Sequence, residues 1–261
     1  MTSTLVPALA SGGLVGFSLG LVGGGGSILA TPLLLYVVGV ASPHVAIGTG
    51  ALAVSINAYA NLLGHARKGH VRWLCAAVFA AVGTLGALLG SSLGLVVDGT
   101  RLLLLFGALM VVVGLLMLRP RGVGRGEERP VERRTCALTA AAALATGGAS
   151  GFFGIGGGFL IVPALVFATG MPMINAIGSS LLAVGTFGLA TAVNYARSGQ
   201  VDWVIAAQFI SGGVVGGILG MLLATRLSAG KATLNGIFAV LILSVATYVI
   251  FKNLPATTAF G

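Results

Sequence analysis

Acidic residues are almost missing from this chain. Its 261 residues include five, Asp98, Glu127, Glu128, Glu132 and Asp202, and each falls in a polar connection or at the end of an apolar run. Carboxylates at membrane depth are the usual carriers of proton relays and common partners of cations. Their absence from the apolar runs argues against a cation pump and against an Asp/Glu proton relay. Cysteine is as scarce: Cys75 and Cys136 stand alone, with no CxxC spacing and no neighbouring His cluster. Neither a disulfide framework nor a metal site is expected, only two small packing residues. Enzyme signatures are missing too. No Lys follows Gly26-Ser27 as a phosphate-cradling Walker loop requires, and there is no GxSxG elbow and no HExxH. No catalytic role and no cofactor is expected. Met1-Thr2-Ser3-Thr4 puts no basic flank before the first apolar run, so no cleavable secretory signal is expected.

Charge of either sign is thin: charged residues make up 7% and hydrophobic residues 57% of the chain, against about 25% charged in soluble domains. Apolar segments long enough to cross a bilayer, about 20 residues as a helix, recur from end to end. The fold class is an all-α integral membrane protein with about 8–10 membrane segments, its partner being the lipid bilayer. The net charge of +9 calls for no nucleic acid, because the basic residues gather on one side of the membrane.

Glycine is abundant, with 43 residues, and one glycine-rich stretch occurs twice. Gly20-Leu21-Val22-Gly23-Gly24-Gly25-Gly26-Ser27-Ile28-Leu29-Ala30-Thr31-Pro32 reappears as Gly151-Phe152-Phe153-Gly154-Ile155-Gly156-Gly157-Gly158-Phe159-Leu160-Ile161-Val162-Pro163. Clustered glycines destabilise a helix interior and tolerate positive φ, so each stretch predicts a pair of short or bent helices meeting at a break. Superposing Ala46–Trp73 on Ala176–Trp203 leaves twelve identities in twenty-eight positions, so the chain is a duplicated unit. Residues 1–118 form the first transmembrane repeat, 119–135 a polar, basic cytoplasmic linker and 136–254 the second repeat. The helix after Ser42-Pro43 is expected to end near Gly64, with His65 to His70 forming a basic loop.

Charge placement relates the halves. With the linker in the cytoplasm, Arg67, Lys68, Arg72, six linker arginines, Arg226 and Lys231 lie inside, while Arg101, Arg197 and Lys252 lie outside. This eleven-to-three bias is that of membrane proteins. Each half then crosses an odd number of times, and the second is inserted upside down. Inverted-topology repeats with glycine-broken helices are a transporter signature, with substrate near the midplane.

An anionic substrate fits the remaining residues. A helix restarting after a break presents unpaired N–H groups and the positive end of its dipole, which singles out Gly24, Gly25, Gly26 and Ser27 on one side and Gly156, Gly157 and Gly158 on the other. Thr49, Ser179 and Ser180, near the starts of helices that follow Pro43 and Pro172, and Asn57 further along, are candidates for lining the path. Glycines also let membrane helices approach closely, and for Gly86, Gly90, Gly216 and Gly220, spaced by four, packing is the better reading. Arg67 and Arg197 read as interfacial anchors, and His44 as a helix-end residue.

On the paired glycine stretches, with Ala46-Ile47-Gly48-Thr49 and Ala176-Ile177-Gly178-Ser179, the chain resembles the sulfite exporter TauE/SafE family of membrane transporters over nearly its whole length. The resemblance implies a multi-pass protein of the cell inner membrane that moves sulfite, a sulfonate or a related small sulfur-containing anion, commonly outward. It points by position to Gly23–Ser27, Gly154–Gly158, Thr49 and Ser179. An anion channel on the same scaffold and a membrane assembly subunit without flux of its own are the alternatives. Inversion makes a prediction: in a cysteine-free background, Lys68→Cys and Ser198→Cys label from opposite faces of the membrane with an impermeant thiol reagent, and labelling of both from one face refutes it.

Overall fold

Proline and glycine punctuate the helices at matching places in the two halves. In the computed structural model, which describes residues 2–118, 133–154, 158–226, 240 and 242–253, helix α3 (Pro43–Arg67) begins on a proline and α8 (Met173–Arg197) begins directly after Pro172. A fixed φ and a missing N–H suit proline to a helix start. Both helices end in the same cap. Gly69 and Gly199 take φ of 70° and 68°; His70 N–H donates to His65 C=O and Gly69 N–H to Ala66 C=O, as Gln200 does to Tyr195 and Gly199 to Ala196. This is the Schellman arrangement, which needs a left-handed residue that glycine supplies without strain. It carries α3 three residues past Gly64. His65 therefore lies in the last helical turn and is 4% exposed, not in the loop expected from its basic neighbours.

Around these two lie α1 (Thr2–Val22), α4 (Trp73–Val96), α5 (Gly99–Leu118), α6 (Arg133–Phe153), α7 (Gly158–Thr169) and α9 (Trp203–Arg226). A further helix, α10, spans Ile242–Asn253. Between α1 and α3 the chain runs through a 3-10 segment (Gly23–Leu29), the short α2 (Ala30–Leu33) and a π turn (Leu34–Val38). Every element among the described residues is helical, as lipid demands of a backbone that cannot bond to water. Five helical stretches are long and apolar enough to cross a membrane, in α1, α3, α4, α8 and α9. Large apolar side chains such as Leu89, Leu93, Val96 and Leu219 stay exposed, as a lipid-facing surface requires. Of the expected linker, 119–132 lies outside the described residues, as does 227–239, while Arg133, Arg134 and Thr135 already belong to α6.

The halves are interlocked. The first helix of each packs on the fourth helix of the other, α1 on α9 and α6 on α4, while α3 packs on α8. Glycine makes both crossings possible. A Cβ on Gly16 would strike the Gly213 carbonyl and one on Gly216 the Gly13 carbonyl; the matching contacts in the other crossing are Gly147 on Gly83 and Gly86 on Leu144. Gly90 and Gly220 likewise meet the carbonyls of Gly148 and Phe17. Backbones this close gain dispersion and weak Cα–H···O contacts where lipid gives no hydrophobic drive. Ser55 O–H donates to the Gly185 carbonyl at 2.7 Å across the α3–α8 contact. The contact at Gly16 sets a test. Gly16→Ala should lower stability by roughly 1–3 kcal/mol, the cost of overpacking. Gly13→Ala, whose Cβ would lie 3.6 Å from its nearest neighbour, should be neutral or better because alanine favours helix. Thermal unfolding in detergent compares the two, and equal losses would remove the backbone contact as the cause.

Candidate functional site

Each break begins at one glycine. Gly23 (φ 74°) ends α1 and Gly154 (φ 65°) ends α6, so the chain turns where an L side chain would be strained. After Gly23 it folds back along α1, because a Cβ on Gly26 would strike Ser18 and Leu19. Ser27 is fully buried in this returning segment. The stretch through Gly24, Gly25, Gly26 and Ser27, where a break and the start of a half-helix are expected, is a 3-10 segment; clustered glycines disfavour the α-helix. The second return resumes as an α-helix at Gly158, while Gly156 and Gly157 lie outside the described residues.

Each turn is seated on the other half. A Cβ on Gly23 would meet Ile177, and one on Gly154 would strike Ile47. The residues after those isoleucines complete each seat. Gly178 lies against the His70 carbonyl and Gly48 against the Gln200 carbonyl. The hydroxyl oxygen of Ser179 accepts the Arg72 N–H at 2.9 Å, and that of Thr49 accepts the Asp202 N–H at 2.9 Å. The start of α3 thus meets the loop after α8, and the start of α8 the loop after α3, so these equivalent helices run antiparallel. Such reciprocal contact is the mark of a two-fold relation.

The same contacts separate the two turns. Gly154 sits at the start of α3 and Gly23 beside the loop that closes its far end. With 1.5 Å rise per residue, the turns stand on the order of 25 Å apart along α3, so one small anion cannot touch both. The returning segments do come together, since the 3-10 segment packs against α7. Thr49 and Ser179 occupy opposite seats, and Ser180 donates to its own Ile177 carbonyl at 2.8 Å.

Asn57 behaves differently. It is fully buried, its amide lies over Gly213, and neither its nitrogen nor its oxygen has a hydrogen-bond partner. The Asn61 side-chain amide, one turn on, donates to the Asn57 backbone carbonyl at 2.9 Å. The described carboxylates serve as helix caps: Asp98 accepts from Thr100 and Arg101 N–H, and Asp202 from Val204 and Ile205 N–H. His44 Nε2 lies 3.1 Å from the Val97 carbonyl at the end of α4, a helix-end contact. Among the described residues no three His, Cys, Asp or Glu side chains cluster. Residue-by-residue reading missed His65; its signal was the spacing Asn57, Asn61, His65, which puts three polar side chains on one helix face.

Interlocked helical halves with broken segments returning through the interior define a multi-pass membrane transport protein. The chain belongs to the sulfite exporter TauE/SafE family, whose model matches residues 8–249. A probable membrane transporter protein of Xylella fastidiosa (strain 9a5c) is 65% identical over 257 residues, 98% of each chain. The probable membrane transporter protein YunE of Bacillus subtilis (strain 168) is 26% identical over 236 residues, 80% of this chain and 84% of its own. No solved structure matches the chain.

The seats lead to a stability test. Thr49→Val and Ser179→Ala each remove a hydroxyl that accepts a backbone N–H of the opposite half, which should cost about 0.5–1.5 kcal/mol, the net worth of one hydrogen bond. Thr49→Ser should restore most of it. Unfolding temperatures in detergent measure this, and unchanged values would remove the hydroxyls from the seats.

Proposed function

We propose that this protein is a secondary transporter that exports a small sulfur-containing anion, sulfite or an organosulfonate, by alternating access. Its two repeats, 1–118 and 136–254, are inserted in opposite senses and joined by the basic linker. The anion sits near the midplane, between the 3-10 segment that carries Gly24 to Ser27 and α7, which starts at Gly158. One observation carries this reading: the glycine-rich 3-10 segment and α7 meet inside the protein, while the described carboxylates stay at helix caps. N–H groups at the start of α7 and its dipole favour an anion there. The antiparallel course of α3 and α8 supports the inversion, since two equivalent membrane-crossing helices of opposite direction belong to units of opposite insertion. Thr49 and Ser179 act at the seats, one at each end, and hold the shape of the returning segments. Export is driven by the membrane potential acting on the anion, worth about 2.3 kcal/mol per charge per 100 mV.

Binding to the folded state raises apparent stability. Purified protein should melt higher in the presence of sulfite or a small sulfonate than with sulfate at equal ionic strength. In proteoliposomes, labelled sulfite efflux should rise with an imposed inside-negative potential and show exchange against unlabelled sulfite. No stabilisation by any sulfur-containing anion would refute the substrate class. Flux without exchange would favour a channel.

A further inference from the structure

The two halves differ along the faces that α3 and α8 turn toward the glycine crossings. Going from the middle of α3 to its basic end, the residues are Asn57, Asn61 and His65, one turn apart. The equivalent positions of α8 carry Phe187, Thr191 and Tyr195. The matching environments confirm the equivalence: Asn57 lies over Gly213 as Phe187 lies over Gly83. One half therefore lines this face with two amides and an imidazole, where the other has a phenyl ring, a threonine hydroxyl and a phenol, the two hydroxyls also buried without a partner.

Nothing in the fold explains why Asn57 is there. Asn57 and Phe187 are both fully buried, so the position accepts an apolar side chain in the second half. Asn57 keeps both polar atoms without a partner, and an unpaired buried amide is a cost that selection for stability alone removes. Asn61 Oδ1 reaches toward Gly20, 3.1 Å from where its Cβ would stand, just before α1 turns at Gly23. His65 is the next step. Its ring lies 6.0 Å from that of His70, in the loop that also holds Lys68 and Arg72, just past Arg67 at the end of α3. Neither His65 ring nitrogen makes a well-formed hydrogen bond, although the Gly20 backbone lies within its reach.

We propose that Asn57, Asn61 and His65 form a polar ladder along which a small oxyanion passes between the middle of the membrane and the basic-loop end. Its donors are amide and imidazole N–H groups, with no carboxylate to repel the anion. This deepens the transport reading and rests on it. In this structure the ladder is closed over. It opens in the other conformation, when the crossing of α1 and α9 separates from α3. The equivalent face of the opposite half has hydroxyls at Thr191 and Tyr195 but an apolar ring, Phe187, at the Asn57 position and neither amide nor imidazole, so the route through the protein is chemically one-sided although the fold is duplicated.

The test uses the full-length protein with Cys75 and Cys136 replaced by alanine, reconstituted in liposomes. Asn57→Cys, Asn61→Cys and His65→Cys should react with a small anionic methanethiosulfonate faster than Thr191→Cys on the opposite half, and sulfite should slow that reaction. Wild-type sulfite flux with no preferential labelling of the three positions would overturn the ladder and leave the transport reading standing. Preferential labelling that another oxyanion slows, but sulfite does not, would uphold the ladder and reject sulfite. Asn57→Leu supplies an independent readout. Its unfolding temperature should hold or rise as the unpaired amide disappears, while flux falls roughly tenfold, the worth of one hydrogen bond to a charged group. A lower unfolding temperature with flux retained would make Asn57 a packing residue and overturn the proposal.

Discussion

Backbone packed directly on backbone holds this protein together. In lipid the hydrophobic effect does not drive helix against helix, so cohesion has to come from close approach. At the α1–α9 and α4–α6 crossings, glycine faces the carbonyls of the opposite half. Those crossings join a first helix of one half to a fourth helix of the other, so neither half can complete its packing alone. The turns, the seats and the buried polar face of α3 all take their positions from this interlock.

The duplicated seats follow from it. Once the halves are exchanged, Ala46-Ile47-Gly48-Thr49 serves the break of the second half, and Ala176-Ile177-Gly178-Ser179 that of the first. Each short motif has three tasks: an isoleucine under the turn, a glycine against a loop carbonyl, and a hydroxyl on a loop N–H. A single copy shows only a small apolar run with one hydroxyl. The contact partner lies more than a hundred residues away, so a seat of this kind cannot be read along the chain.

Duplication also exposes what is not shared. Asn57 against Phe187 is an exchange at equivalent buried places, so the fold itself does not choose between an amide and an apolar ring there, and His65 against Tyr195 exchanges an imidazole for a phenol. Side chains at equivalent depths are where an otherwise symmetric scaffold can treat its two ends differently.

Much of this was legible in the order of residues. Composition placed the chain in the membrane, since lipid selects against charge in every span. Proline and glycine marked the helix ends within a few residues, because their backbone limits act locally, and the repeat at Ala46 and Ala176 revealed the duplication. The scarcity of acids in the apolar runs was legible too, and the described carboxylates Asp98 and Asp202 lie at helix caps. The tertiary structure decided the rest: which half each break leans on, how far apart the two turns stand, and that His65 is buried above Asn61 and not exposed in a basic loop. Those facts depend on contacts between residues remote in sequence, and on a cap at Gly69 whose left-handed turn carries α3 past the point where its apolar pattern stops.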